Sequence, residues 1–233
     1  MHFLRERAAS AVEQMDSPDC DPDRLDRTYA QFSLVNGVVS GWRRIYQQKL
    51  LPLLSAGSAI SLLDIGCGSG DLPVMLARRA ARDGLRLEIT AIDPDARAFR
   101  FAMARPALPG LAFRQALSSD LVREGRTFDV VMSNHVLHHL SQPELQGFLA
   151  DSVVLCRGSV LHNDLRRSAA AYALFSVGSL PLRGSFIRED GLTSIRRSYT
   201  TKELEAAVPP GWLAERHSPF HQLLMYGSKH HSG

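Results

Sequence analysis

The chain has 233 residues, 45% hydrophobic and 22% charged, enough for one large α/β core with an appendage but short for two full domains. Its net charge of +3 is small and its arginines fall in scattered pairs (Arg43-Arg44, Arg78-Arg79, Arg166-Arg167, Arg196-Arg197), so no nucleic-acid partner is expected. Cys20, Cys67 and Cys156 form neither a disulfide framework nor a zinc spacing, which favours a reducing, cytoplasmic setting, and neither a signal peptide nor an integral membrane segment is expected.

Residues 1–15 are predicted as a short helix with Phe3, Leu4, Ala8, Ala11 and Val12 along one side, and 17–23 as a turn. Residues 25–54 are helical in pattern, with a break near Asn36-Gly37. They carry Tyr29, Phe32, Trp42 and Tyr46, whose simplest role is to pack on the core. Then comes SLLDIGCGSGD, residues 61–71: a short apolar strand, glycines at 66, 68 and 70, and apolar residues at helical spacing over 72–82. Strand, glycine turn and helix open a nucleotide-binding α/β unit. Glycines let the backbone approach a ligand, and the helix start offers free N–H groups.

The spacing narrows the ligand. A dinucleotide fingerprint needs glycine at the sixth position of the turn, where this chain has Asp71, an acid that would repel a pyrophosphate. No Lys-Ser/Thr follows, as a phosphate-cradling loop requires. Asp64 and Asp71 instead suit a ligand carrying positive charge. S-adenosylmethionine combines a sulfonium and an amino group with no phosphate.

Asp64-Ile65-Gly66-Cys67-Gly68-Ser69-Gly70 resembles the D-x-G-x-G-x-G motif of class I S-adenosylmethionine-dependent methyltransferases. The resemblance implies an α/β fold: a doubly wound, mostly parallel seven-stranded sheet with an antiparallel C-terminal hairpin and N-terminal lid helices. Residues 1–55 would be a helical cap and 56–233 the methyltransferase domain, with a lid insert around 165–200. It implies donor contacts from Asp64, Gly66, Cys67, Gly68, Gly70 and Asp71, acceptor contacts from Tyr29 and Phe32, and pairing of Arg43 with the donor carboxylate.

A second strand, 85–93, ends on Asp93, where an acid can accept from both ribose hydroxyls. It could also cap the helix predicted over 95–105, since Pro94 follows. Ile92 and Pro94 would flank the adenine. After the third strand, 112–116, the resembled family often carries Asp. This chain has Leu117, so backbone at Ala116 and Leu117, with Ser118 or Asp120, is expected to hold the adenine. The fourth strand, 128–133, runs into NHVLHHL, similar to a V-L-H-H-L continuation in that family. Asn134 should lie at the mouth of the sheet, with His135 facing the pocket. His135 and His139 lack the Glu of H-E-x-x-H, one of His138 and His139 is expected to be structural, and no metal is expected.

A helix over 142–154 leads to a strand over 159–162 and a loop with Asn163 and Asp164, expected to meet the substrate. Metal-dependent catechol-type methyltransferases hold magnesium near here, but Asn134 leaves one carboxylate where two are wanted. The most apolar stretch, 169–182, reads either as a core helix or as a wall for a greasy or aromatic acceptor, with Phe175 in it. Docking on a membrane surface ranks below both. Residues 190–199 read as a polar loop, 201–208 as a helix capped by Thr200 or Thr201, and 212–217 with 221–228 as an antiparallel pair.

Methyl transfer from a sulfonium needs the nucleophile held about 3–3.5 Å from the methyl carbon, and a base only when the acceptor is O–H or N–H. The candidates for that base are His135, His162 and Tyr199. The whole pattern is similar to the small-molecule branch that includes ubiquinone/menaquinone-biosynthesis and polyketide-tailoring enzymes. V-L-H-H-L, N-D-L-R-R-S and S-I-R-R-S-Y-T are similar to segments of bacterial methyltransferases encoded beside type III polyketide synthases, which implies secondary metabolism. The expected activity is O-methylation of a phenolic or polyketide-like hydroxyl on a small acceptor, by a monomer or homodimer. The alternatives are C-methylation of a quinone precursor and a non-catalytic S-adenosylmethionine-binding module acting through a partner.

Overall fold

Leu62 and Leu63 are neighbours in β1 (Ile60–Ile65), point to opposite faces of the sheet, and are both fully buried. A strand apolar on both faces belongs in the middle of a parallel sheet covered on both sides. In the computed structural model, which describes residues 4–39, 41–54 and 58–227, β1 is that strand. It pairs in parallel with β2 (Leu87–Asp93) and β4 (Phe128–Asn134), with Asp64 opposite Ala91 and Met132. β3 (Leu111–Gln115) lies outside β2, and β5 (Cys156–Leu165) outside β4. β7 (His221–Gly227) runs antiparallel between β5 and β6 (Leu213–Arg216). The order is β3-β2-β1-β4-β5-β7-β6, the mostly parallel seven-stranded sheet with an antiparallel C-terminal pair that the sequence predicts. The winding reverses between β1 and β4, which opens a crevice at their carboxyl ends.

On one face α4 (Asp71–Arg82) buries Leu72, Leu76, Ala77 and Ala80 against Trp42, Tyr46 and Leu62. On the other, α7 (Gln142–Leu155) and α10 (Thr201–Ala207) pack with Leu63, Val131 and Leu224. Both of these helices start on a capping box, Ser141 with Glu144 and Thr200 with Glu203. The remaining layers hold α5 (Ala96–Met103), α6 (Ser118–Arg123), α8 (Ala169–Gly178) and α9 (Ile187–Arg197). Among the described residues no helix is long and apolar enough to cross a membrane.

Four expectations change. Residues 4–13 contain no α-helix, and 14–16 make a single 3-10 turn; residues 1–3, with Phe3, lie outside the described residues. Tertiary bonds claim this segment instead: Arg7 donates to Tyr199 Oη and to the carbonyls of Arg197, His138 and Leu140, and Arg167 donates to the carbonyls of Leu4 and Arg5. The expected break at Asn36-Gly37 falls at Gly41. There α1 (Pro22–Val39) gives way to α2 (Trp42–Ile45), a π turn over Tyr46–Leu50, and α3 (Leu51–Leu54). Gly41 has φ 73°, and a Cβ there would lie 3.3 Å from the His217 ring. β5 runs on to Leu165, because its ladder with β7 continues through Asn163, Asp164 and Leu165. Finally, 190–199 is mostly helical. The inward side of α9 carries Asp190, Ser194 and Arg197 along with Ile187 and Ile195, so it shows no clean apolar period.

Candidate active site

The glycine turn is fixed from below. The N–H groups of Gly66 and Cys67 both donate to the Ile92 carbonyl, at 2.8 and 3.0 Å. Asp93, 9% exposed, accepts the Gly68 N–H at 2.8 Å and the Asp95 N–H at 2.9 Å. The capping of α5 expected of Asp93 falls to Asp95, which accepts the Arg97 N–H. Gly66, Gly68 and Gly70 all have positive φ, but their reasons differ. A Cβ on Gly68 would meet nothing within 4 Å and point into open space. One on Gly70 would lie 2.7 Å from the Phe113 ring, so Gly70 serves packing.

Asp64 is 1% exposed, and neither carboxyl oxygen has a hydrogen-bond partner. Burial, with the charges of Asp71 and Asp93 nearby, holds it well above the usual carboxylate range. Such an orphaned acid asks for a cation or a donor. It faces a cavity of about 500 Å³, lined on this side also by Gly66, Cys67, Gly68, Asp71, Asp93, Pro94 and Asn134. No Lys or Arg lines the cavity among the described residues.

The far half of the cavity has an apolar wall and a polar wall. Phe32 from α1, Phe175 from α8, and Ile187 and Ile195 from α9 make the apolar one. α8 turns Phe175 inward and leaves Leu174 and Val177 exposed, so it is a wall and not a core helix. Gly191 admits the Phe175 ring, which a Cβ would meet at 2.4 Å.

The polar wall comes from three distant stretches. His138 Nδ1 is 2.6 Å from Asp164 Oδ1, and Asp164 Oδ2 accepts the His138 N–H. His138 Nε2 makes no hydrogen bond, and Glu13 Oε1 is 3.5 Å away. His139 Nδ1 is 3.2 Å from Asp16 Oδ2, with its Nε2 3.8 Å from Glu13 Oε1. Ser194 Oγ donates to Glu13, and the Asp190 carboxylate accepts the N–H groups of Gln14 and Met15 at 2.7 and 2.9 Å. Burial pushes Glu13 up, but His138 and His139 beside it bring it down to about 2. Burial pushes Asp190 up to about 6 against those two N–H bonds.

At the sheet mouth, His135 has φ 59°, and among the described residues no other non-glycine has positive φ. Its Nε2 is 3.1 Å from His221 Nε2, and the rings stack at 17°. Burial lowers His135 to about 4 and His221 to about 3, so the pair is uncharged at neutral pH.

Eleven of the residues expected at the site line the cavity: Phe32, Asp64, Gly66, Cys67, Gly68, Asp71, Asp93, Pro94, Asn134, His135 and Phe175. The others do not, each for a visible reason. Tyr29 is buried against Phe101. Arg43 is exposed, while Trp42 beside it turns inward and donates to Asn134 Oδ1 at 2.8 Å. Gly70 packs against Phe113; Ala116 is buried off the cavity, and Leu117 is exposed where α6 starts. His162 is fully buried, with Nδ1 on Ser133 Oγ and its ring between Phe148 and Trp212. Tyr199 is buried under the Arg7 guanidinium. Asn163 and Asp164 are buried because β5 continues through them; Asn163 supports Asn134, and Asp164 supports His138. Glu13, Asp16, Asp190, Ser194 and His221 line the cavity without being expected there, and His138 and His139, of which one is expected to be structural, both line it. The adjacent histidines are the visible signal.

Residues 62–158 match the family model described as a methyltransferase domain. Among curated proteins the chain is 32% identical over 152 residues to a ubiquinone biosynthesis O-methyltransferase of Methylobacterium nodulans, covering 64% of this chain and 58% of that protein. It is 34% identical over 125 residues to the enzyme of the same name from Caulobacter vibrioides, covering 52% and 46%. The chain thus spans less than two thirds of the length of these relatives. Among solved structures, the plantazolicin methyltransferase BpumL in complex with SAH matches with a TM-score of 0.61 at 12% identity, over 88% of this chain and 96% of that one. The DszA carbon methyltransferase matches with 0.54 at 20%, over 93% and 60%. These two show the fold alone. Residues 62–158, which carry the glycine turn and the four parallel strands around it, are thus similar to a methyltransferase domain, and the sheet order is that of the methyltransferase structures matched.

Proposed function

We propose that the chain transfers a methyl group from S-adenosylmethionine to a hydroxyl oxygen of a small, apolar or aromatic acceptor, phenolic or polyketide-like. The observation that carries this reading is Asp64, a buried carboxyl without a hydrogen-bond partner at the tip of the central strand, beside a glycine turn that opens into a cavity. The donor's chemistry is its own: a methyl group on a positively charged sulfur. The protein's part is to bind, orient and exclude water. In this reading Asp64 and Asp71 complement the donor's positive charge, Asp93 accepts from the ribose, Pro94 flanks the base, and Asn134, braced by Trp42 and Asn163, fixes the junction with the acceptor.

The acceptor lies between Phe32 and Phe175 with its hydroxyl toward the polar wall of Glu13, His139 and Asp190, and a free carboxylate of that wall takes the hydroxyl proton. Residues 1–55 act as a cap, and the insert around 165–200 as the acceptor wall. Free, well-separated cysteines fit a reducing compartment. Calorimetric titration with S-adenosylhomocysteine tests the donor half, and binding in the micromolar range is expected. No binding below millimolar would remove the proposal. Product analysis with model phenols tests the site of transfer, with methyl expected on oxygen and not on ring carbon.

A further inference from the structure

The polar wall contains a pattern that proton transfer does not require. Two histidines, His138 and His139, each have Nδ1 held by a separate carboxylate, Asp164 at 2.6 Å and Asp16 at 3.2 Å. Fixing Nδ1 in this way turns both Nε2 atoms toward one oxygen, Glu13 Oε1, at 3.5 and 3.8 Å. Those separations are beyond good hydrogen-bond reach. They are the spacing of ligands that share one tetrahedral ion, roughly 3.4 Å for metal–ligand lengths of about 2.1 Å. His138 Nε2 is buried, aimed into this gap and without a hydrogen bond. Among the described residues, no other group of three or more His, Cys, Asp or Glu side chains brings its ligand atoms within 4.8 Å of one another.

We propose that Glu13, His138 and His139 bind a divalent transition-metal ion through Glu13 Oε1 and the two Nε2 atoms, with the remaining coordination position open to the acceptor half of the cavity. Two imidazole nitrogens and one carboxylate select a borderline ion such as zinc or cobalt over magnesium or calcium. The carboxylates on both Nδ1 atoms are the supporting partners that orient metal-binding histidines. Glu13, Asp16 and Asp164 surround the gap, and the Arg197 guanidinium lies 3.9 Å from Glu13 and 3.7 Å from Asp16. Arg7 faces the backbone carbonyls of His138 and Leu140. The expectation of no metal rested on the missing Glu of H-E-x-x-H and on a lone carboxylate near residue 164. Glu13 supplies the ligand from a different part of the chain. An ion here would bind the acceptor oxygen and lower its pKa, so the proposal deepens the reading above and rests on it for the identity of that oxygen.

The test uses the full chain with His230 and His231 replaced by alanine, so that terminal histidines cannot contribute. Metal-free protein is titrated with Co²⁺ and followed by visible absorption, then back-titrated with Zn²⁺. The expected result is one Co²⁺ per chain with the intense bands of four- or five-coordination, displaced by Zn²⁺ and unaffected by excess Mg²⁺. Glu13→Gln and His139→Ala should each weaken Co²⁺ binding at least about tenfold, while His217→Ala, outside the cluster, leaves it unchanged. Absence of the bands, equal affinity in the two cluster variants, or displacement by Mg²⁺ would overturn the site. S-adenosylhomocysteine binding is measured on the same samples. Its loss with Co²⁺ binding intact would remove the methyl-transfer reading and leave the metal site, and the reverse outcome would do the opposite.

Discussion

The two halves of the cavity are built in different ways. The donor half comes mostly from neighbours in sequence: Asp64 through Asp71, then Asp93 and Pro94 at the next strand tip, with the N–H groups of Gly66 and Cys67 tied to the Ile92 carbonyl and that of Gly68 to the Asp93 carboxylate. The acceptor half gathers Glu13 and Asp16 from an irregular N-terminal strap, His138 and His139 from the turn after β4, and Asp190 and Ser194 from α9. Side chain to backbone bonds hold that strap, those of Arg7, Arg167 and Asp190 above all. The first half is a property of the sheet, and the second of tertiary contacts laid over it. On the proposed reading, donor grip and acceptor handling should therefore be separable by mutation.

The largest effect should come from Asp64→Asn. Losing the charge facing the donor should weaken S-adenosylhomocysteine binding by about 2–3 kcal/mol in a calorimetric titration. The same change should raise the melting temperature of the ligand-free protein. The folded-state pKa of Asp64 is raised, so the folded chain keeps a proton that the unfolded chain releases. Ligand-free stability therefore falls as pH rises from the ordinary carboxylate range to the raised folded value, and the penalty is complete above it. Asp64→Asn should flatten that pH slope; an unchanged melting profile would show that Asp64 is not buried in isolation.

Next, Gly70→Ala should destabilise the fold by about 2 kcal/mol or more in denaturant unfolding, through positive φ together with the Phe113 clash. Asp190→Asn should follow. An amide cannot accept both strap N–H groups on two oxygens, so turnover should fall by about tenfold, for a loss of about 1–2 kcal/mol, while donor affinity stays unchanged. A matching loss of donor affinity would break the separation of the two halves. The smallest effect is expected from Gly68→Ala, about 1 kcal/mol of stability from positive φ alone. Its added methyl group points into open space at the donor site, so S-adenosylhomocysteine affinity should drop although nothing in the fold clashes.

The sequence could be read wherever the signal was local. Asp64, the glycines and Asp93 carry their chemistry in spacing that strand and helix periods fix, and Leu62-Leu63 announces a strand buried on both faces. Glu13 is hidden because 1–15 looks helical, whereas bonds to residues near 138, 167, 190 and 197 hold residues 4–15 in another path. Asp190 was hidden because α9 buries polar groups against the strap, which erases the apolar period. Asn163 and Asp164 read as a loop because two polar residues after an apolar run look like the end of a strand, whereas β7 pairs with β5 through both. Arg43 at the donor is implied by family resemblance alone, and the indole next to it turns inward instead.

The ribbon ahead of α1 has a longer consequence. On the proposed reading, a lineage that redraws residues 4–16 and the partner face of α9 can take up a new acceptor while the ends of β1, β2 and β4 go on holding the same donor. Selectivity in such a protein would drift in the strap, well away from the glycine motif that marks its relatives.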